Sequence, residues 1–322
     1  MSSPDLTILD SARIAVRVCL GIKAGEQVLI VTDPVCRATS EAFYRAVLEL
    51  EAEPLLLLME PRRMVGSEPP PAVAEIMRKV QAVFLPVSKS LTHTKARQEA
   101  SAAGARIASL PGLTEDIMAR SVGADYQAIA AVTESLAKRM ENSKEARVTS
   151  PAGTDLTLDI TARPLIRDTG LYTKPGDWGN LPAGEVYVAP IEGSAEGRII
   201  IDGSLAGLGL LTEPVEVIVE KGRAVSFKGG PQAVEVESIL NAAGPGARNL
   251  AELGIGTNPE AELVGNILED EKVLGTAHVA FGANASFGGQ VQVPCHLDGI
   301  MIEPTVTLDG RVILDQGRLI MD

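Results

Sequence analysis

The chain of 322 residues is acidic, moderately apolar and poor in aromatic residues. Hydrophobic residues make up 45%, charged residues 22% and aromatic residues 3%, and 29 Lys and Arg against 42 Asp and Glu give a net charge of −13. This composition is that of a globular protein with about two or three domains, and it excludes a disordered or low-complexity chain. The acidic excess argues against nucleic acid or an anionic membrane as a partner.

Cysteine usage and the start of the chain indicate a cytoplasmic protein. Cys19, Cys36 and Cys295 form no C-x-x-C pair, which is typical of a reducing compartment. Residues 1–5 lack the basic and apolar regions of a signal peptide. The apolar run 55–59 is far shorter than the ~20 residues that a membrane span needs.

The first 145 residues alternate between buried-strand and helix patterns. The predicted strands are 28–32, 54–59, 82–87 and 106–110. The predicted helices are 39–52, 71–80, 91–103 and 125–141. This alternation is typical of an α/β domain with a doubly wound, mostly parallel sheet. We therefore predict a Rossmann-like domain over residues 1–145.

From about residue 146 the pattern changes to strands, glycines and hairpin turns. Turns are predicted at 152–155, at Lys221-Gly222 and at Asp309-Gly310, each between alternating segments. Helices are fewer, over 233–243 and 259–270. We predict a second, α+β, strand-rich domain over residues 146–322, which carries the metal site discussed below.

Common catalytic motifs are absent from the sequence. There is no G-x-G-x-x-G after the first strand, no G-x-x-x-x-G-K-[ST] and no G-x-S-x-G. Cys295 and His296 are neighbours, but adjacent residues of a strand point to opposite faces and make a poor nucleophile and base. Nucleotide chemistry and nucleophilic hydrolysis are therefore disfavoured.

The segment around 293–301 points instead to a metal. His296 and Asp298 are two residues apart, so a strand projects both side chains from one face. An imidazole beside a carboxylate is a donor pair that suits zinc, cobalt or iron. A surface His-x-Asp pair without metal is the simpler alternative.

Three further residues strengthen the metal interpretation. Glu185 begins a β-branched run, while Glu252 and His278 lie within apolar stretches. A buried carboxylate needs a partner, which is either a metal or an Arg or Lys side chain, and His278 alone fits a hydrogen-bonded core histidine. Taken together with His296 and Asp298, these residues predict two divalent metal ions (zinc, cobalt or manganese) that hold a hydroxide for amide or ester hydrolysis.

At these residues the sequence resembles the aminopeptidase T family of metalloaminopeptidases, which includes aminopeptidase S. The matching stretches are N-L-P-A-G-E at 180–185, E-L-G-I-G-T-N-P at 252–259, G-T-A-H at 275–278 and H-L-D at 296–298. The resemblance implies a homodimer with an enclosed two-metal centre that removes N-terminal residues from small peptides. Its implied ligands are Glu185, Glu252, His278, His296 and Asp298. As a hypothesis, Glu252 or Glu185 shuttles the proton to the leaving amine.

Two departures keep other functions open. The chain is shorter than these peptidases, and their tyrosine after the G-T-A-H histidine is missing, with Ala285 or Ser286 near its place. The sequence is also similar to ferrous dioxygenases that open the ring of 2,5-dihydroxypyridine, which keep the H-x-D pair and use one ferrous iron. A metal-free binding protein for a small molecule is the third alternative.

His93 is the remaining candidate for chemistry. It lies at a predicted strand-to-helix junction, where α/β folds bind ligands. A histidine there could act as an acid or base in either enzyme. The simpler interpretation is a polar residue at the start of a helix.

Overall fold

The computed structural model describes residues 7–321 and divides the chain into two compact units. One unit comprises the described residues up to Ala130 together with Asp168–Ala183. The other comprises Ala131–Arg167 and the described residues from Gly184 onwards. Residues 1–6 and 322, and with them the segment considered for a signal peptide, lie outside the described residues.

The helices and strands follow in chain order. The α-helices are α1 (Ile8–Ile14), α2 (Arg37–Leu48), α3 (Pro71–Met77), α4 (Lys95–Ala102), α5 (Glu115–Ile117), α6 (Tyr126–Met140), α7 (Pro231–Ala242) and α8 (Ile267–Asp270). The first ten strands are β1 (Gln27–Thr32), β2 (Glu53–Leu58), β3 (Ala82–Leu85), β4 (Arg106–Ser109), β5 (Glu145–Thr149), β6 (Asp155–Asp159), β7 (Leu165–Asp168), β8 (Trp178–Asn180), β9 (Glu185–Val188) and β10 (Glu196–Ile201). The others are β11 (Ser204–Leu205), β12 (Gly209–Leu210), β13 (Val215–Glu220), β14 (Arg223–Lys228), β15 (Leu250–Gly256), β16 (Ala277–Gly282), β17 (His296–Met301), β18 (Thr305–Leu308), β19 (Arg311–Asp315) and β20 (Arg318–Leu319). Short π-helical turns cover Ala15–Cys19 and Met118–Val122, and 3₁₀ turns cover Pro245–Arg248 and Ala285–Phe287.

The first unit is built on a five-stranded parallel sheet, which confirms the predicted α/β class. Its order is β2-β1-β3-β4-β8, and the four pairings are all parallel. The predicted boundary at residue 145 does not enclose the whole sheet. Strand β8, from much later in the chain, adds the fifth strand next to β4. Phe43 of α2 stacks on Phe84 of β3 with ring centroids 4.7 Å apart, and this contact ties a helix to the sheet.

Strand β2 corrects the expectation of a buried strand over 54–59. It forms the edge of the sheet, and Leu55, Leu56 and Leu58 are 44%, 39% and 51% exposed. A leucine run is apolar enough for an interior strand, so its sequence does not distinguish an edge from a centre.

The second unit contains two antiparallel sheets that share one hydrophobic core. The eight-stranded sheet has the order β14-β13-β10-β6-β5-β18-β19-β20, and the seven-stranded sheet has the order β12-β11-β17-β16-β15-β9-β7. Val148 and Val217 of the first sheet belong to the same buried cluster as Leu253 and Phe281 of the second. This unit is the strand-rich α+β part that the hairpin signals predicted.

Two predicted hairpin turns are confirmed. Lys221-Gly222 joins β13 to β14, and Asp309-Gly310 joins β18 to β19. All four turn residues have positive φ, between 46° and 82°. Left-handed backbone at both central positions matches the twist of antiparallel strands.

The predicted helix over 259–270 is mostly wrong, since only α8 is helical there. Gly265 has a φ of 84°, and the amides of Val264 and Gly265 donate to Asp270 Oδ1 rather than to a helix carbonyl. The acidic side chains at the end of this segment therefore fold the preceding residues into a loop. Among residues 7–321, no helix has the length and hydrophobicity that a membrane crossing requires.

Candidate metal centre

Four neighbouring strands of the seven-stranded sheet bring the five predicted ligands together. The strands lie side by side in the order β17, β16, β15 and β9. The first carries His296 and Asp298, and the others carry His278, Glu252 and Glu185 in turn. The sequence established only the His296–Asp298 pair, because strand order and register join residues far apart in the chain.

The register places all five side chains on the same face. Ala280 pairs with both Glu252 and Asp298, and His278 pairs with Gly254. Residues in register, and alternate residues along a strand, point to the same side of a sheet. The opposite face carries apolar side chains of the core, such as Leu253, Val279 and Phe281.

Small residues make room for the ligands on this face. A Cβ added to Gly254 would lie 2.1 Å from His278 Nε2, which is far inside van der Waals contact. Ala280 occupies the position between Glu252 and Asp298. The alternation E-x-G-x-G in β15 thus combines a carboxylate with two positions that leave space above the sheet.

This packing gives a first testable prediction. Gly254→Ala is expected to displace the His278 ring and lower the affinity for a divalent ion by roughly 10–100-fold, the range typical of disturbed ligand positioning. The affinity can be measured by titration of Mn²⁺ against a competing chelator. Val279→Ala, on the core face of β16, is the matched control and should keep the wild-type affinity. Wild-type affinity in Gly254→Ala would contradict this account.

The carboxylate of Glu252 lies between the two histidines. Its Oε1 is 3.2 Å from His278 Nε2, and its Oε2 is 3.3 Å from His296 Nε2. His296 Nε2 is also 3.3 Å from Asp298 Oδ1, and His278 Nε2 is 3.4 Å from Glu185 Oε2. Both imidazoles therefore direct Nε2 towards the carboxylates.

The tautomer of His296 is fixed by the backbone. Its Nδ1 lies 2.8 Å from the carbonyl oxygen of Ala283, which can only accept a hydrogen bond. Nδ1 therefore carries a proton, and in the neutral ring Nε2 presents its lone pair to the site. A metal-binding histidine is commonly oriented in this way.

Because Glu252, His278 and His296 are close together in a site with little solvent, the protonation of each affects the pKa of the others. Burial raises the pKa of Glu252, but hydrogen bonds with His278 and His296 outweigh it and lower the pKa to about 2. Burial lowers the pKa of His278, but the hydrogen bond with Glu252 and the charge of Glu185 raise it to about 9. The pKa of His296 is raised as well, against burial, by the charges of Asp298 and Glu252. Without a metal, protons on the histidines compensate the carboxylates.

Proton release on metal binding is the second prediction. Because the pKa values of His278 (about 9) and His296 are raised, both rings carry an extra proton at pH 7 in the metal-free protein. Binding a divalent ion through Nε2 of His296, together with Glu252 and Asp298, displaces the proton of that ring, so the affinity should increase with pH. Calorimetric titrations with Mn²⁺ in buffers of different ionisation enthalpy should give about one proton released. A buffer-independent enthalpy would be inconsistent with this result.

Two residues of the site were not recognised in the sequence, Lys272 and Glu271. Lys272 Nζ lies 2.6 Å from Glu185 Oε1 and 2.6 Å from Glu271 Oε1, and its side chain is 1% exposed. The alternative in which Glu185 pairs with a lysine is therefore also observed. The run E-D-E-K at 269–272 is typical of a solvated surface, and no periodicity in it indicates a buried lysine.

The donor set fits a divalent cation. Three sets of side chains have ligand atoms within 4.8 Å of one another: Glu185, Glu252 and His278; Glu252, His296 and Asp298; Glu271, His278 and Asp298. Asp298 Oδ1 is buried and makes no well-formed hydrogen bond among the described residues, although His296 Nε2 lies 3.3 Å away. Imidazole nitrogens with carboxylate oxygens suit zinc, manganese and ferrous iron.

The site is accessible from the side of His296. His296 keeps 26% of its side-chain exposure, whereas Glu252 and Asp298 keep 7% and 10%. The ring of Phe287 lies edge-on to His296, with centroids 5.8 Å apart, and also to Tyr187 at 5.4 Å. Aromatic side chains therefore border the more exposed ligand.

His93, the remaining predicted catalytic residue, belongs to the first unit and not to this cluster. It is exposed in the turn before α4, which begins at Lys95 with Thr94 as its cap. Its ring lies edge-on to Trp178 with centroids 6.4 Å apart, and the Arg97 guanidinium stacks 3.7 Å above the same indole. A catalytic role for His93 stays a prediction.

The family of the chain follows from comparison with known proteins. The family model described as 2,5-dihydroxypyridine 5,6-dioxygenase (NicX) matches residues 8–321. The chain belongs to this family. A curated 2,5-dihydroxypyridine 5,6-dioxygenase of Pseudomonas putida KT2440 is 24% identical over 194 residues, which cover 56% of this chain and 55% of that protein. The chain thus aligns with about half the length of this curated NicX-family relative.

Solved structures support the fold class. The structure of 2,5-dihydroxypyridine dioxygenase from P. putida KT2440 matches 97% of this chain and 96% of its own with a TM-score of 0.84 at 18% identity. Wild-type AmpT from Thermus thermophilus matches 97% and 98% with a TM-score of 0.69 at 19% identity. The resemblance to aminopeptidase T therefore holds for the fold, whereas the family is NicX rather than the aminopeptidases.

Proposed function

We propose that this protein is a ring-cleaving dioxygenase that acts on a hydroxylated N-heteroaromatic ring of the 2,5-dihydroxypyridine type with one ferrous iron. The observation that carries the proposal is the match of the NicX family model over residues 8–321, almost the whole chain. The curated dioxygenase relative supports it. The substrate class is taken from the names of the relatives, and ferrous iron is what the resemblance to ferrous dioxygenases implies for this chain.

Glu252, His296 and Asp298 would hold the iron, with His278 beside Glu252. One imidazole nitrogen and two carboxylate oxygens are donors that would suit ferrous iron. When bound, ferrous iron supplies the redox chemistry with dioxygen that ring opening requires.

The residues of the chain would prepare the site in three ways. The Ala283 carbonyl holds His296 in the tautomer whose Nε2 can bind metal. The low pKa of Glu252, about 2, keeps its carboxylate charged at any physiological pH. Phe287, next to the partly exposed His296, offers an apolar surface on which an aromatic ring can pack.

A two-metal hydrolase is the second candidate, and the convergence of all five predicted ligands favours it. Glu185, Glu252 and His278 form one group, while His296 and Asp298 join Glu252 in another, so Glu252 is shared. A shared carboxylate is common between paired metals that activate water. This candidate would make the protein an aminopeptidase-like enzyme with zinc, cobalt or manganese.

The decisive experiment compares both reactions on the same protein. The purified protein is freed of metal and reloaded anaerobically with Fe²⁺, or with Zn²⁺, Co²⁺ or Mn²⁺. Oxygen uptake with 2,5-dihydroxypyridine and release of p-nitroaniline from amino-acid p-nitroanilides are then recorded. We expect oxygen uptake only with Fe²⁺ and no anilide hydrolysis. Hydrolysis with a second metal equivalent, and no oxygen uptake, would instead support the aminopeptidase.

A further inference from the structure

Lys272 is a fully buried ammonium group inside the metal centre. Its Nζ contacts Glu185 Oε1 and Glu271 Oε1, each at 2.6 Å. A buried lysine keeps its charge only with anionic partners, and here two carboxylates provide them. The backbone fixes its position as well, because the Asn258 amide donates to the Lys272 carbonyl and the Lys272 amide donates to that of Glu269.

The contacts of Lys272 distinguish two of the three candidate metal sets, which contain a carboxylate bonded to its ammonium group, from the third, which does not. Glu185 belongs to one set with Glu252 and His278, and Glu271 belongs to another with His278 and Asp298. Each of these two sets therefore has one carboxylate engaged by the ammonium. The third set, Glu252, His296 and Asp298, contains neither of the carboxylates to which Lys272 is bonded.

A second divalent ion next to His278 would meet this ammonium. Such an ion would use the carboxylate of Glu185 or Glu271, and the ammonium lies 2.6 Å from an oxygen of each. Two cations this close repel strongly in a buried site of low dielectric. A protonated lysine also has no lone pair, so it cannot itself be a ligand.

We infer that the Lys272 ammonium takes the place of a second metal ion and restricts the centre to one divalent ion at Glu252, His296 and Asp298. Lys272 is then a positioning residue that holds Glu185 and Glu271. The inference deepens the proposed function, because a single ion is what the dioxygenase needs. It rests on that proposal only for the identity of the metal, since the number of ions follows from the contacts.

The wild-type protein provides the first test. Metal-free protein is titrated with excess Mn²⁺, and bound metal is measured by elemental analysis and electron paramagnetic resonance. We expect one tightly bound ion per chain and no exchange-coupled pair signal. Two tightly bound ions with a coupled signal would overturn the inference, whichever reaction the enzyme catalyses.

The second test removes the ammonium. Lys272→Met keeps the length of the side chain and leaves Glu185 and Glu271 without this cation, so we expect two Mn²⁺ ions per chain and a coupled signal. A folded Lys272→Met that binds one ion would overturn the inference. If the variant is unfolded without metal, its unfolding is followed against Mn²⁺ concentration, and refolding with one equivalent rather than two would have the same meaning.

Two controls separate this effect from general loss of stability. Lys228→Met removes an exposed lysine that pairs with Glu216 at 3.4 Å, and it should bind one ion. The triple variant Lys272→Met/Glu185→Gln/Glu271→Gln removes both carboxylates together with the ammonium and should return to one ion. A triple variant that still binds two ions would contradict the role given to Glu185 and Glu271. Failure of the proposed function, by contrast, would appear as one bound ion without oxygen uptake.

Discussion

Glu252→Gln is expected to abolish turnover and to lower the affinity for a divalent ion by at least about a hundredfold. Glu252 places one carboxylate oxygen 3.2 Å from His278 Nε2 and the other 3.3 Å from His296 Nε2. An amide keeps the shape but loses the charge, and its NH₂ group cannot bind a metal. Metal content by elemental analysis and oxygen uptake by the Fe²⁺-loaded protein measure the two effects.

The same substitution has a readout that needs no metal. Because Glu252 contributes to the raised pKa of both histidines, its removal should move the His278 pKa from about 9 back towards its ordinary value. Histidine resonances of the metal-free protein, followed by NMR against pH, report this change. Glu262→Gln, an exposed substitution in the loop between β15 and α8, serves as the control and should leave metal content, turnover and both pKa values unchanged. Full iron content and turnover in Glu252→Gln would mean that the centre lies elsewhere.

Phe281→Ala is expected to cost about 3–5 kcal/mol of the free energy of unfolding of the second unit. Phe281 is fully buried on the core face of β16 and packs edge-on to Phe227 with centroids 6.0 Å apart. Its removal leaves a cavity in the core that both sheets share. Denaturant unfolding of metal-free protein, followed by far-UV circular dichroism, measures the loss.

This variant also tests whether the two faces of β16 act separately. Since Phe281 points away from the face of His278, the folded variant should still bind its divalent ion with wild-type stoichiometry. Leu274→Ala, a large apolar residue that is 43% exposed, is the control and should change stability by less than about 0.5 kcal/mol. A change in unfolding free energy as small as that of Leu274→Ala would show that Phe281 is not part of the core.

Sequence periodicity predicted most of the local elements because the spacing of apolar side chains along a helix or strand reflects which of its faces is buried. Strands β1, β3 and β4 and helix α6 lie within a few residues of the predicted segments, and the Gly-containing turns fixed two hairpins. The prediction of a helix over 259–270 is mostly wrong because the Asp270 carboxylate accepts hydrogen bonds from the amides of Val264 and Gly265 and bends the segment before α8 into a loop. Hydrogen bonds from backbone amides to side-chain carboxylates compete with the hydrogen bonds of a helix, and they leave no periodic pattern in the sequence.

The candidate site was partly predictable for a chemical reason. Carboxylates and histidines in apolar strands require partners, and this requirement identified five residues that the sheet brings together. It could not identify Lys272, because a lysine in an acidic run usually faces solvent. The motif resemblance pointed to the aminopeptidases, with which the chain shares its fold, whereas the family match over residues 8–321 assigns the dioxygenase family.

The return of β8 to the parallel sheet has a consequence for synthesis. The fifth strand of the first sheet, Trp178–Asn180, follows β5, β6 and β7, which belong largely to the other unit. During synthesis, β5, β6 and β7 therefore leave the ribosome before the first sheet can be completed. A fragment that ends at residue 145 lacks β8 and leaves the edge of β4 unpaired. Unpaired edges of this kind favour aggregation. Expression of the first unit alone should accordingly require a linker that joins the residues up to Ala130 to Asp168–Ala183, and so supplies Trp178–Asn180, rather than a simple truncation.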